Sequence, residues 1–121
     1  MIFQHFCGLG EALLENQKAA LQCCRENIKA LHEDDNISTY YADCLKPRTA
    51  NQPCSLIFLD PPYGLGLTIP ALEALVATGW VSDKALVVLE VDRTEEIEPP
   101  SEFKILDDRH YGKARILFLG N

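Results

Sequence analysis

Two short runs, "CSLIFLD" (54–60) and "KALVVLEV" (84–91), restrict the fold of this chain more than any other feature. Neither alternates apolar with polar residues, so neither reads as a strand with one wet face. Continuous apolar strands of this length are those buried on both faces of a parallel sheet. The stretch between them, "LTIPALEALVATGW" (67–80), reads as a helix, with Pro70 tolerated in its first turn and Gly79 as its stop. Strands alternating with helices in this way predict an α/β sheet.

The remaining elements extend this unit. From Asn16 to His32, apolar residues at Ala20, Leu21, Cys24, Ile28 and Leu31 follow helical spacing, with Asn16 as the expected N-cap. "ISTYYADCL" (37–45) is rich in β-branched and aromatic residues and is expected as a strand. "FKILDDRHYG" and "KARILFLG" are expected to close the sheet as an antiparallel hairpin, because too few residues join them for a crossover helix. The expectation is therefore an α/β fold with a mixed sheet. No repeat or linker divides it, so residues 1–121 are expected to form one domain with a small core.

Composition narrows the function classes. Eleven basic against eighteen acidic residues give a net charge of −7, which argues against broad phosphate neutralisation as the mode of action. No apolar stretch reaches membrane-spanning length, and "MIFQHFCGLGE" lacks a basic leading region, so neither a span nor a signal peptide is expected. Five cysteines (Cys7, Cys23, Cys24, Cys44, Cys54) are odd in number and form no CxxC pair. They read as reduced thiols of a cytoplasmic protein. His5, His32 and His110 have no ligand spacing, so no metal is expected. Trp80 reads as core. Lys104, Arg109, Lys113 and Arg115 make the closing hairpin the most basic region, and solvated strand-face charge accounts for them.

The tip of the first apolar run carries the chemistry. Asp60-Pro61-Pro62-Tyr63 places a carboxylate, two residues of fixed φ and an aromatic ring at the carboxyl end of a strand. Ligands of open α/β sheets sit at such ends. Asp60 and the Pro61 carbonyl are acceptors held in a rigid frame. They match the two N–H donors of an exocyclic amino group on a planar base, and Tyr63 can stack on its ring. Accepting those hydrogens localises the nitrogen lone pair, which makes this catalysis by positioning and fixed electrostatics. A simple tight turn could use Pro, Asp and Gly too. It would not call for two prolines and an aromatic directly after a buried strand.

On these residues the chain resembles the RsmD family of S-adenosylmethionine-dependent methyltransferases, which methylate guanine N2 in small-subunit ribosomal RNA. The resemblance rests on "LLENQKAALQCCRENIKAL", "LIFLDPPYGLGL", "ALEALVATGWVSDKALVVLEV" and "RHYGKARILFLG". It implies a Rossmann-like methyltransferase fold, S-adenosyl-L-methionine as cofactor and ribosomal RNA as partner. It also implies that Asp60, Pro61, Pro62 and Tyr63 hold the target amino group. Glu15, with Asn16 beside it, would take the cofactor ribose, and Asp43, with Cys44 beside it, the adenine amino group. Phe6, Gly8 and Gly10 in "FCGLG" resemble the family's glycine turn, giving Gly8 and Gly10 as cofactor contacts.

The front of the chain departs from that pattern. Gly10 lies only five residues before Glu15, whereas the unit needs about twenty between turn and acid. A first strand and helix are therefore expected to be missing or shortened. Neighbouring strands would then have exposed edges, filled by "MIFQHF" or covered by a second copy in a homodimer. Two other functions compete: a non-catalytic remnant, and amino-methylation of DNA adenine or protein glutamine.

Overall fold

The structure, a computed structural model, describes residues 2–6, 10–33, 36–43, 45–61 and 66–120, with residues 2–6, 10 and 11 as backbone only. Strand β1 (Ile2–Phe6) is followed by β2 (Gly10–Glu15), helix α1 (Lys18–Ala30), β3 (Ile37–Tyr41), β4 (Cys54–Leu59), α2 (Thr68–Ala77), β5 (Val81–Asp92), β6 (Lys104–Tyr111) and β7 (Ala114–Gly120). All strands join one seven-stranded sheet in the order β3-β2-β1-β4-β5-β7-β6. The parallel pairs are β2–β3 and β4–β5, and the rest are antiparallel. The expected mixed sheet with a C-terminal hairpin is present.

At the front of the sheet the alternative in which "MIFQHF" fills the gap is the one observed, within residues 2–6. "IFQHF" occupies the central position, so no gap opens between β2 and β4. It runs against both neighbours, pairing Ile2 with Leu14 and Leu59 and Phe6 with Gly10 and Cys54. The cause is the connection: three residues separate Phe6 from Gly10, and a parallel crossover needs about ten or more. Only a hairpin can be made with so short a link.

Helix α1 begins one residue later than expected. Gln17, not Asn16, is the N-cap residue, and its backbone N–H donates to a Glu15 carboxylate oxygen at 3.3 Å. Strand β3 stops at Tyr41, short of Asp43, and β5 begins three residues early. Gly79 ends α2 as expected, with φ of 85°.

The two crossovers run toward opposite edges of the sheet, so right-handed connections put α1 and α2 on opposite faces. The α2 face is closed. Ala71, Leu72 and Leu75 pack with Ile57, Leu59, Val87, Leu89, Val91, Leu117 and Leu119, and Trp80 is buried among them. The indole N–H of Trp80 donates to the Arg48 carbonyl at 2.7 Å, fastening the loop before β4 beneath the core. On the other face α1 reaches β2 and β3, with Leu21 buried. Here the expectation of two buried faces is corrected: Phe58 is 42% exposed, and Leu56, Leu86, Val88, Ile116 and Phe118 are only partly covered. The residues are apolar on both sides of β4 and β5, and among the described residues a helix, α2, covers one side of them.

Cys54 lies within the closed core, and burial pushes its thiol up to about 11. Cys23 and Cys24 on α1 are also free thiols, the first of them exposed. Treatment with iodoacetamide at neutral pH should therefore label Cys23 readily and Cys54 only after denaturation, as read by peptide mass mapping.

Candidate functional site

The carboxyl ends of β2 and β4 flank β1 at one rim of the sheet. Glu15 closes β2 and is 7% exposed; its carbonyl accepts the Ala42 N–H at 3.0 Å, which ties the end of β2 to the end of β3. Asp43 follows at once, exposed, in an isolated bridge with Lys46, and its carboxylate accepts the Leu45 N–H at 2.9 Å. Across β1, Leu59 is the last residue of β4, and Asp60 continues from it. Two strand spacings separate the backbones of Glu15 and Asp60, about 10 Å. Asp43, Glu15 and Asp60 thus share one rim, with buried Pro61 beside the last.

Gly10 is not brought there. It starts β2 opposite Phe6, and five strand residues put it about 17 Å from Glu15, at the other rim. The reason is the reversal of β1, whose last residue, Phe6, pairs with Gly10 and Cys54 at the rim away from Asp60. Gly8, Cys44, Pro62 and Tyr63 lie outside the described residues. Asn16 is exposed between Glu15 and α1.

One acid escaped the sequence reading. Leu59 pairs with Leu89, so the next residues, Asp60 and Glu90, stand side by side. Glu90 was visible as the only charge within "ALVVLEV". Partial burial raises the Asp60 carboxyl above its ordinary value, and the negative charges of Glu90 and Glu15 push the same way. Phe58, Asp60, Val88, Glu90, Ile116 and Phe118 line a cavity of about 340 Å³ on the open face. The site is an acidic rim above an apolar floor.

The basic hairpin contributes less than its composition suggests. Arg115 grips Asp108 in a fork at 2.9 and 2.7 Å and also donates to the Glu95 carbonyl at 3.0 Å. Its hydrogen bonds hold the Asp108 carboxyl below the usual range. Arg109 pairs with Asp107 at 2.8 Å. Two of the four cations are therefore engaged within the hairpin. Among the described residues no group of three or more His, Cys, Asp or Glu could hold a metal, and no helix is long and apolar enough to cross a membrane.

The family profile described as Conserved hypothetical protein 95 matches residues 10–120. The chain belongs to that family, the RsmD-like methyltransferases. A curated RsmD-like relative, the ribosomal RNA small subunit methyltransferase D of Buchnera aphidicola, is 30% identical over 95 residues, 77% of this chain and 49% of that protein. Its Haemophilus influenzae counterpart is 25% identical over 82% of this chain and 48% of that protein. The chain thus spans about half the length of these two relatives. Among solved structures, the Escherichia coli protein yhhF superposes with a TM-score of 0.80 at 21% identity, covering 93% of this chain and 63% of that one. That likeness shows a shared fold.

Proposed function

We propose that this chain takes part in S-adenosylmethionine-dependent methyl transfer to the N2 amino group of a guanine in small-subunit ribosomal RNA, in the cytoplasm. The observation that carries this reading is Asp60, with Pro61 beside it, at the same rim as Glu15 and Asp43. The family and the names of its curated relatives support it.

Asp60 and the Pro61 carbonyl would accept the two amino hydrogens of an extruded guanine, with Pro62 stiffening the loop and Tyr63 stacking on the base. When bound, S-adenosylmethionine supplies an electrophilic methyl group. The methyl–sulfur bond of the donor would break as the N–C bond forms, and the proton shed by the amino nitrogen would pass to Asp60. A carboxyl raised above its ordinary value is a better base for that purpose. Glu15, a nearly buried carboxylate at a strand end, fits two vicinal ribose hydroxyls, and Asp43 fits an adenine amino group. The adenosine half of the cofactor would thus have partners at this rim. Its amino-acid half would need the backbone donors of a glycine turn, and Gly10 stands at the opposite rim.

Incubation with unmodified small-subunit RNA and methyl-labelled cofactor, alongside a full-length homologue, should place label in N2-methylguanine. No transfer while the homologue works would overturn the reading. The placement of Gly10 favours a second one, a folded chain that binds no cofactor. Micromolar S-adenosylmethionine binding by calorimetry would exclude it.

A further inference from the structure

We infer that helix α1 and the outer edge of β3 form a track for the sugar–phosphate backbone of RNA. The choice of RNA rests on the reaction proposed above; the arrangement of charge does not. Among the described residues β3 pairs with β2 alone, so its other side is an edge of the sheet. Lys18, Arg25 and Lys29 stand at i, i+7 and i+11 on α1, all exposed. At 3.6 residues per turn they lie within about 20° of one line, roughly 16 Å long. Two contacts turn that line toward β3. The Arg25 guanidinium donates to the Thr39 hydroxyl at 2.9 Å, and the Lys18 ammonium lies 5.7 Å from the centre of the Tyr41 ring. Arg48, also exposed, reaches the same strand, its guanidinium 4.7 Å from the centre of the Tyr40 ring.

The partners decide what these cations are for. A carboxylate neutralises the cation that it holds, as Asp107 does Arg109 and Asp108 does Arg115. A hydroxyl or an aromatic ring fixes a cation in place and leaves its charge uncompensated. Among the described residues no carboxylate pairs with Lys18, Arg25, Lys29 or Arg48, in a chain with eighteen acids. The acids nearby turn elsewhere: Glu26 accepts from Gln22 at 3.3 Å, and Glu33 from Asn36 at 2.7 Å. Arg25 and Lys29, four apart on one helix, repel each other, a cost that a bound anion removes. A line of fixed, uncompensated charges suits a polyanion with repeating phosphates, and such contacts position it without reading its sequence. Tyr41 pairs with Glu15, so the Lys18 end of the track meets the candidate rim and the Lys29 end leads away from it. The net charge of −7 disfavours RNA over the rest of the surface.

Fluorescence anisotropy of a labelled single-stranded RNA, titrated with the intact chain and no cofactor, tests the track apart from methyl transfer. Affinity should fall with salt at a log–log slope of about −3, roughly 0.7 for each of four phosphates. Lys18→Gln/Arg25→Gln/Lys29→Gln, its fold checked by circular dichroism, should bind at least tenfold more weakly, with a slope of about −1. Lys104→Gln, on the opposite edge strand, should bind as wild type does. RNA binding indifferent to the triple substitution would overturn the assignment. So would an absence of saturable RNA binding, whether or not phosphatidylserine vesicles retain the chain; retention would give the surface to a membrane. RNA held through this edge but never methylated would uphold the track and remove only the proposed reaction.

Discussion

Changing Asp60 to alanine should lower methyl transfer by about a thousandfold, the scale set by removing one preorganised group from a developing charge. Asp60→Asn keeps one acceptor oxygen and should recover part of the rate, which a purely structural role for the carboxylate would not explain. The same variants have a stability signature. Burial and the charges of Glu90 and Glu15 raise the folded-state value of Asp60, so the folded chain binds this proton more tightly than the unfolded chain does. That contribution favours the fold below the unfolded value of about 3.9 and is lost as pH rises through the folded value. Above it, ionised Asp60 counts against the fold. Asp60→Ala should therefore melt no lower than wild type at neutral pH, and its advantage should vanish near pH 3. For activity, the acid limb should follow the raised value. Glu90→Gln, by removing one of the charges that raise it, should move the limb to lower pH.

Trp80→Ala should be the most destabilising single change. The side chain is 1% exposed and is the largest in the core. Truncation of such an aromatic costs about 3–5 kcal/mol, and the orphaned Arg48 carbonyl adds roughly 1 kcal/mol. Domains of this kind have about 5–15 kcal/mol in total, so the variant should unfold in mild urea or at modest temperature. Trp80→Phe, which fills most of the space but cannot donate to Arg48, should fall between the two. Trp80 is the sole tryptophan, so unfolding must be followed by circular dichroism.

The elements readable from residues alone were those whose own pattern decides them. Continuous apolar runs mark β4 and β5, helical spacing marks α1, and Gly79 marks where α2 stops. Strand β1 was legible only as a candidate, because five residues are too few for a periodicity and its direction depends on the link to β2. The same reversal hid the fate of Gly10: a glycine turn looks alike at either rim, and the pairing of Phe6 with Gly10 decides which. At the site, Asp60 could be placed because a strand must end where its apolar run meets two prolines. Glu15 and Asp43 needed the family register, since short strands ending in an acid are common. Glu90 was missed because its neighbour across the sheet is a matter of register between β4 and β5, which no local pattern carries.

The reversed first strand also decides how this molecule would come apart. β2–β3 and β4–β5–β7–β6 share no ladder except through Ile2–Phe6, so five residues stitch a two-stranded ribbon to a four-stranded one. In most sheets the margins fray first and the middle persists. Here the seam runs through the middle, and the amides slowest to exchange with solvent should lie to one side of it.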